Sequence, residues 1–207
     1  MVHSRLFLAG AALTLAACTP PAPAPAGGAA ESAAPGQQAA LQCSPVERMP
    51  VAGRASAYDS TVVALGGARA KLCYGRPSAK GRTVFGGLVP YDTLWRTGAN
   101  EPTILHLPVA ASIAGIRVPA GSYSLYTVPG REQWTVIVNR STGQWGHERA
   151  YSAQVRAQEV GRAPVAAERT EAPVETFTIR AVPRGSRAAD LVLEWENTRV
   201  RVPIERT

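Results

Sequence analysis

The sequence predicts an all-β fold, an antiparallel β-sandwich or jelly-roll-like barrel, in one domain over residues 43–207. Three observations carry that expectation. Apolar and polar residues alternate with a period of two in several short runs, whereas no run shows a helical stripe. Nineteen glycines and 17 prolines supply turns between those runs. Strands never alternate with helical segments, which argues against a parallel α/β sheet.

Taken in order, Thr61 to Leu65, the pair Gly66-Gly67, and Ala68 to Tyr74 read as a hairpin. Ala68, Ala70, Leu72 and Tyr74 would share one face, with Arg69 and Lys71 on the other. Thr103 to Val109 sets Leu105, Leu107 and Val109 together and leaves His106 opposite. Ser122 to Val128 and Gln133 to Asn139 flank the turn dipeptide Pro129-Gly130 and form a second hairpin. Thr176–Val182, Asp190–Trp195 and Arg199–Ile204 form a third group. Only 150–162 has room for a short helix, and it lacks a clean apolar stripe.

The N-terminus reads differently. Arg5 followed by the apolar run Leu6–Leu15 has the make-up of a signal peptide over 1–17, too short to span a bilayer. It ends in Leu15-Ala16-Ala17-Cys18, which resembles the lipobox of bacterial lipoproteins. A diacylglyceryl anchor on Cys18 is the expectation, since each buried methylene contributes about 0.8 kcal/mol and two or three chains hold firmly. Thr19 follows where Asp would favour inner-membrane retention, so in a two-membrane bacterium the resemblance implies the outer membrane. Beyond Cys18, the stretch to residue 42 is Ala, Pro, Gly and Gln with one charge, Glu31, and reads as a disordered tether.

Charge and cysteine content narrow the function classes. The formal charge is +7, and removing the signal takes away Arg5 alone, leaving 7 − 1 = +6. That charge is scattered, with no dense basic run or aromatic platform, so nucleic acid is not an expected partner. An anionic membrane surface or polymer suits it better. Cys43 and Cys73 would sit in an oxidising compartment, where their even number permits one disulfide; two independent thiols are the alternative.

One region reads neither as a strand nor as linker: residues 74–101, YGRPSAKGR, VFGGLVPY and LWRTGANE. Between Gly75 and Asn100 stand four cations, Arg76, Lys80, Arg82 and Arg96, against the single carboxylate Asp92. Long loops are commonly functional or disordered, and the aromatic content of this one opposes disorder. Two roles fit it. In a structural role, the arginines pin loops through backbone carbonyls while Phe85 and Trp95 plug one end of the sandwich. In a binding role, Arg76, Lys80, Arg82 and Arg96 contact an anionic or sugar-like ligand, Asn100 and Glu101 orient it, and Trp95 or Trp145 stacks on it.

The runs GRPSAKGR, FGGLVPY and LWRTGANEPT, with PAGSYSLYTVPG (119–130), WTVIVN (134–139), QWG (144–146) and LEWENTRVRVP (193–203), resemble a bacterial exported family known only as a domain of unknown function. The resemblance runs from about Ser56 to Ile204 and implies kinship and export rather than a chemistry. Neither His106 nor the cysteine pair belongs to the pattern.

Several chemistries lack their signs. There is no His-Glu-x-x-His, no Cys-x-x-Cys and no Asp-rich calcium loop, so no metal or cofactor is expected. His147, beside Glu148, reads as a surface loop residue. There is no Gly-x-Ser-x-Gly elbow, and the 75–81 loop departs from the Walker pattern. The leading expectation is a lipid-anchored module binding an anionic or glycan ligand of the envelope. A scaffold contacting another envelope protein is the alternative, and a hydrolase pairing Glu101 with Asp92 or Asp59 the distant third.

Overall fold

Among the described residues nine antiparallel strands form, with turn residues at many of their junctions. The computed structural model describes Met1, Gln42, Cys43 and residues 50–207. The expected signal peptide beyond Met1, Cys18 and nearly all of the expected tether lie outside the described residues. The chain divides into two units between Ser32 and Ala33, and all nine strands belong to the second.

The strands are β1 (Ala57–Leu65), β2 (Ala68–Arg76), β3 (Thr103–Leu107), β4 (Ala111–Ile113), β5 (Ile116–Val118), β6 (Gly121–Pro129), β7 (Gln133–Asn139), β8 (Glu159–Pro183) and β9 (Ala188–Arg206). A 3-10 turn (Glu148–Ala150) and the single-turn α1 (Ala153–Arg156) lie between β7 and β8. The sheet order is β1-β2-β3-β6-β7-β8-β9-β4-β5. Leu65 pairs with Ala68, so Gly66 and Gly67 form a two-residue loop, with φ of 59° and 81°. Two successive left-handed residues there are what a tight hairpin needs to match strand twist.

β8 turns this sheet into a sandwich. Its first part, Glu159 to Ala166, pairs with β7, whereas from Ala167 onward it pairs with β9. The sheet therefore folds over along β8, and its two halves face each other. Leu72, Tyr74, Leu105, Trp134 and Val136 on one side meet Phe177, Ile179, Leu191, Trp195 and Val200 on the other in one continuous core. The free edge of β8 is satisfied by side chains of the opposite layer. The Ile179 N–H donates to the Tyr74 hydroxyl (2.9 Å), and Arg76 Nε donates to the Phe177 carbonyl (3.2 Å). Burying such groups unpaired would cost about 1–3 kcal/mol each.

The all-β expectation and both hairpins match these elements, and three details differ. Asp190–Trp195 and Arg199–Ile204 are one strand, β9, carried through Glu196 at φ 51°. Sequence periodicity does not reveal the β4–β5 hairpin, because three-residue strands are too short to display alternation. Within 150–162 only Ala153–Arg156 is α-helical, and residues from Glu159 on belong to β8.

Cys43 and Cys73 are joined by a disulfide, with Cα atoms 5.7 Å apart. Cys73 lies on the face of β2 opposite Leu72 and Tyr74, so the incoming chain is fixed to the outside of the sandwich. A second clamp lies further along the chain. Arg54 Nη1 meets Glu101 Oε2 at 2.7 Å, with both side chains 1% exposed.

Candidate functional site

The connection from β2 to β3 caps one end of the sandwich. Pro77 to Ala79 prolong β2 along β8: the Ala79 N–H donates to Glu175 O and the Phe177 N–H to Pro77 O, each at 2.8 Å. The chain then turns at Lys80 and Gly81, both left-handed at φ 51° and 70°. Arg82 folds back on this turn, giving Nε to Ala79 O and Nη2 to Ser78 O, both at 2.8 Å. Residues 83–89 form a tight loop closed by two backbone bonds of 2.8 Å, Gly86 N to Val89 O and Val89 N to Val84 O.

Trp95 then pairs with Thr127 in both directions (2.7 and 2.9 Å), occupying the flank of β6 beyond the end of β3. Its ring enters the core. Trp134, Trp195, Phe85 and Phe177 surround it at centroid distances of 5.9, 5.9, 5.8 and 5.1 Å. The following turn is strained and held from several sides. Thr97 has φ 57°, an uncommon conformation for a β-branched residue, and Asn100 has φ 66°. Thr97 is buried, bonded through Oγ1 to Thr127 Oγ1 (3.1 Å) and through its carbonyl to Thr103 Oγ1 (2.6 Å). The Gly146 N–H donates to Asn100 O (3.1 Å), which docks the 141–157 segment onto the same turn.

Together these loops enclose a cleft of about 280 Å³. Its polar lining comes from Ser56, Arg82, Thr93, Arg96, Asn100 and Glu148, with Leu88, Leu94 and the edge of Trp95 among its apolar walls. Arg96 is its most informative member. The side chain is half-buried and makes a single long bond, Nε to Gly98 O at 3.4 Å. Among the described residues it has no ion pair. Burial pulls its pKa below the ordinary arginine value, while Glu148 and Tyr126 push the other way. Among the described residues its terminal nitrogens are thus donors without a hydrogen-bond partner, at the wall of a cleft.

Of the eight residues expected to bind, Arg82, Trp95, Arg96 and Asn100 line this cleft, and four do not. Arg76 is a strut between the two layers, paired with Asp59 (3.0 Å) and bonded to Phe177 O and Thr178. Lys80 is exposed to solvent. Glu101 turns its carboxylate inward to Arg54, and among the described residues its buried Oε1 has no hydrogen-bond partner. Beside it the Tyr58 hydroxyl is pushed up to about 12 by burial and the nearby Glu101 charge. Trp145 is half-buried next to Gly146. Trp95 is 7% exposed, so its faces are occupied by core rings and it offers a ligand only an edge. The hydrolase pairing gains no geometry here, since Glu101, Asp92 and Asp59 are all absent from the cleft lining.

The histidines stand apart. His106 Nδ1 bonds Ser122 Oγ across two strands (2.8 Å), and His147 Nδ1 accepts from Arg149 N to cap the 3-10 turn (3.3 Å). Among the described residues no cluster of three or more His, Cys, Asp or Glu is placed to hold a metal. Sequence reasoning does not find Ser56 and Glu148, which reach the cleft from other parts of the chain. The docking glycine at 146, inside the QWG run, is the available signal for the second of them.

Residues 56–204 match a family described as a protein of unknown function, DUF2911. No curated protein and no solved structure matches the chain.

Proposed function

The chain belongs to the DUF2911 family, and we propose that it is a lipid-anchored envelope protein whose β-domain binds a small anion at the end of the sandwich. One observation carries the binding half of this reading: Arg96 is half-buried at the cleft, and among the described residues its terminal guanidinium nitrogens have no hydrogen-bond partner and its charge no ion pair. A cation so placed gives up part of its hydration, and an incoming carboxylate or phosphate restores it through charge-assisted, bidentate bonds. Asn100 adds neutral polar groups, and Arg82 adds positive potential from the rim.

Thermal denaturation of the purified protein, with carboxylates, acidic sugars and phosphorylated sugars added in turn, tests the reading. A ligand at one hundred times its dissociation constant adds about 2.7 kcal/mol of stability. A raised melting temperature for one anion class is expected, lost in Arg96→Gln and partly kept in Arg96→Lys. No response to any anion, or a full response in Arg96→Gln, overturns it.

The anchor rests on the Leu15-Ala16-Ala17-Cys18 run ahead of a polar, proline-rich stretch. Cys18→Ser is expected to abolish labelling by radioactive fatty acid and to release the protein from washed membranes. Retained labelling in that variant rules the anchor out.

A further inference from the structure

We infer that the ligand of this cleft is a free α-amino acid, bound with its carboxylate on Arg96 and its ammonium toward Glu148. The inference rests on the anion-binding reading above and narrows it.

Glu148 lines the same cleft as Arg96, from a different segment of the chain. Its backbone is fixed by the 3-10 turn: the Tyr151 N–H donates to Glu148 O (2.9 Å) and the Ala150 N–H to His147 O (2.8 Å). That turn is itself docked through Gly146 on Asn100 O. The two charges feel each other, since Glu148 is the largest favourable influence on the Arg96 charge. Yet no ion pair joins them, and among the described residues neither has another ionic partner. A cation and an anion therefore stand on one cleft with a gap between them.

That arrangement selects against a simple anion. A carboxylate approaching Arg96 gains the guanidinium but also meets the Glu148 carboxylate, and the two like charges oppose each other. A molecule carrying an ammonium next to its carboxylate converts that repulsion into a second attraction. One side of the remaining wall is apolar. Leu88 is 44% exposed, and Leu94 and Val89 line the cleft with it. Such a wall suits an aliphatic side chain, so the probe of choice is leucine.

Titration calorimetry of the purified protein with three related molecules separates the contributions: leucine, 4-methylpentanoate (the same skeleton without the amine) and 3-methylbutylamine (without the carboxylate). Leucine is expected to bind about tenfold or more tighter than 4-methylpentanoate, the size of one charge-assisted hydrogen bond. Glu148→Gln should bring the two acids level, and Arg96→Gln should abolish binding of both. Equal binding of the two acids by the unaltered protein overturns this inference and leaves the anion-binding reading standing. Tighter binding of the amine than of leucine overturns it as well. If neither acid binds, the amino-acid inference falls, and the wider anion panel alone then decides the reading beneath it.

Discussion

Replacing Trp95 with alanine is expected to lower stability by about 3–5 kcal/mol, the range for deleting a large buried aromatic. Trp95 is the hub of the core: four aromatic rings have centroids between 5.1 and 5.9 Å from its own, and its Nε1 donates to Gly98 O (3.1 Å). The void cannot close by local collapse. Its neighbours Trp134 and Trp195 are fixed on β7 and β9, and Trp195 Nε1 is itself held by Glu175 O (3.1 Å). Because domains of ordinary size have about 5–15 kcal/mol in total, this single change removes a large share. The check is chemical denaturation, read as a lower midpoint at unchanged slope. Trp95→Phe, which keeps an aromatic ring and loses the indole bond, should cost distinctly less. A loss below about 1 kcal/mol in the alanine variant would show that the ring lies outside the cooperative core.

The same tryptophan marks where the sequence is legible and where it is not. Phe85 and Trp95 can be read as a plug because large apolar side chains in a long loop must be buried somewhere. Binding by stacking on Trp95 is equally readable, and only the surrounding rings decide between the two. The β1–β2 hairpin is legible because Gly66-Gly67 carries a turn type and its flanks alternate cleanly. β8 is legible only at its end. Its earlier residues, Glu159 to Val174, mix charge, Pro164 and Pro173, and they form a strand because β7 and then β9 pair with them. Such pairing between distant segments has no local signature.

The cleft shows the same division. Arg96 and Asn100 are legible as polar groups in an odd loop. Arg76, Lys80 and Arg82 look equivalent to Arg96 in sequence, yet only Arg82 shares its cleft. Arg76 is engaged by Asp59 and Arg82 by two carbonyls, which is the structural role that five guanidinium donors make available. In sequence Glu101 reads as a residue facing a ligand, and in the fold it faces Arg54. That partner comes from the segment just before β1, which sequence spacing cannot bring to it. Glu148 carries no signal of its own because isolated loop carboxylates are common. Its relation to Arg96 exists only once Gly146 has docked on Asn100.

Gly75→Ala is the second change expected to act strongly, through sterics alone. Gly75 lies in β2, and its φ carries no left-handed strain, so alanine is conformationally acceptable there. The obstacle is the turn of residues 97–100, which crosses directly over it. A Cβ on Gly75 would overlap the carbonyl of Ala99, and one on Gly98 would lie 2.9 Å from Gly75 O. Both obstacles are backbone, which cannot rotate aside. The turn cannot simply lift either, because Thr97 is tied to Thr127 and Thr103, and Asn100 to Gly146. Overpacking of this kind costs about 1–3 kcal/mol and more where backbone must move. Displacing the turn also moves Arg96, so Gly75→Ala should lose stability and the anion response together. Gly67→Ala supplies the contrast. It has open space around the added methyl but φ of 81°, so it meets conformational strain without collision. That variant should lose about 1 kcal/mol and keep the anion response in full. If Gly75→Ala instead behaves like Gly67→Ala, the crossing of the 97–100 turn over β2 is looser than its contacts require, and the cleft does not depend on it.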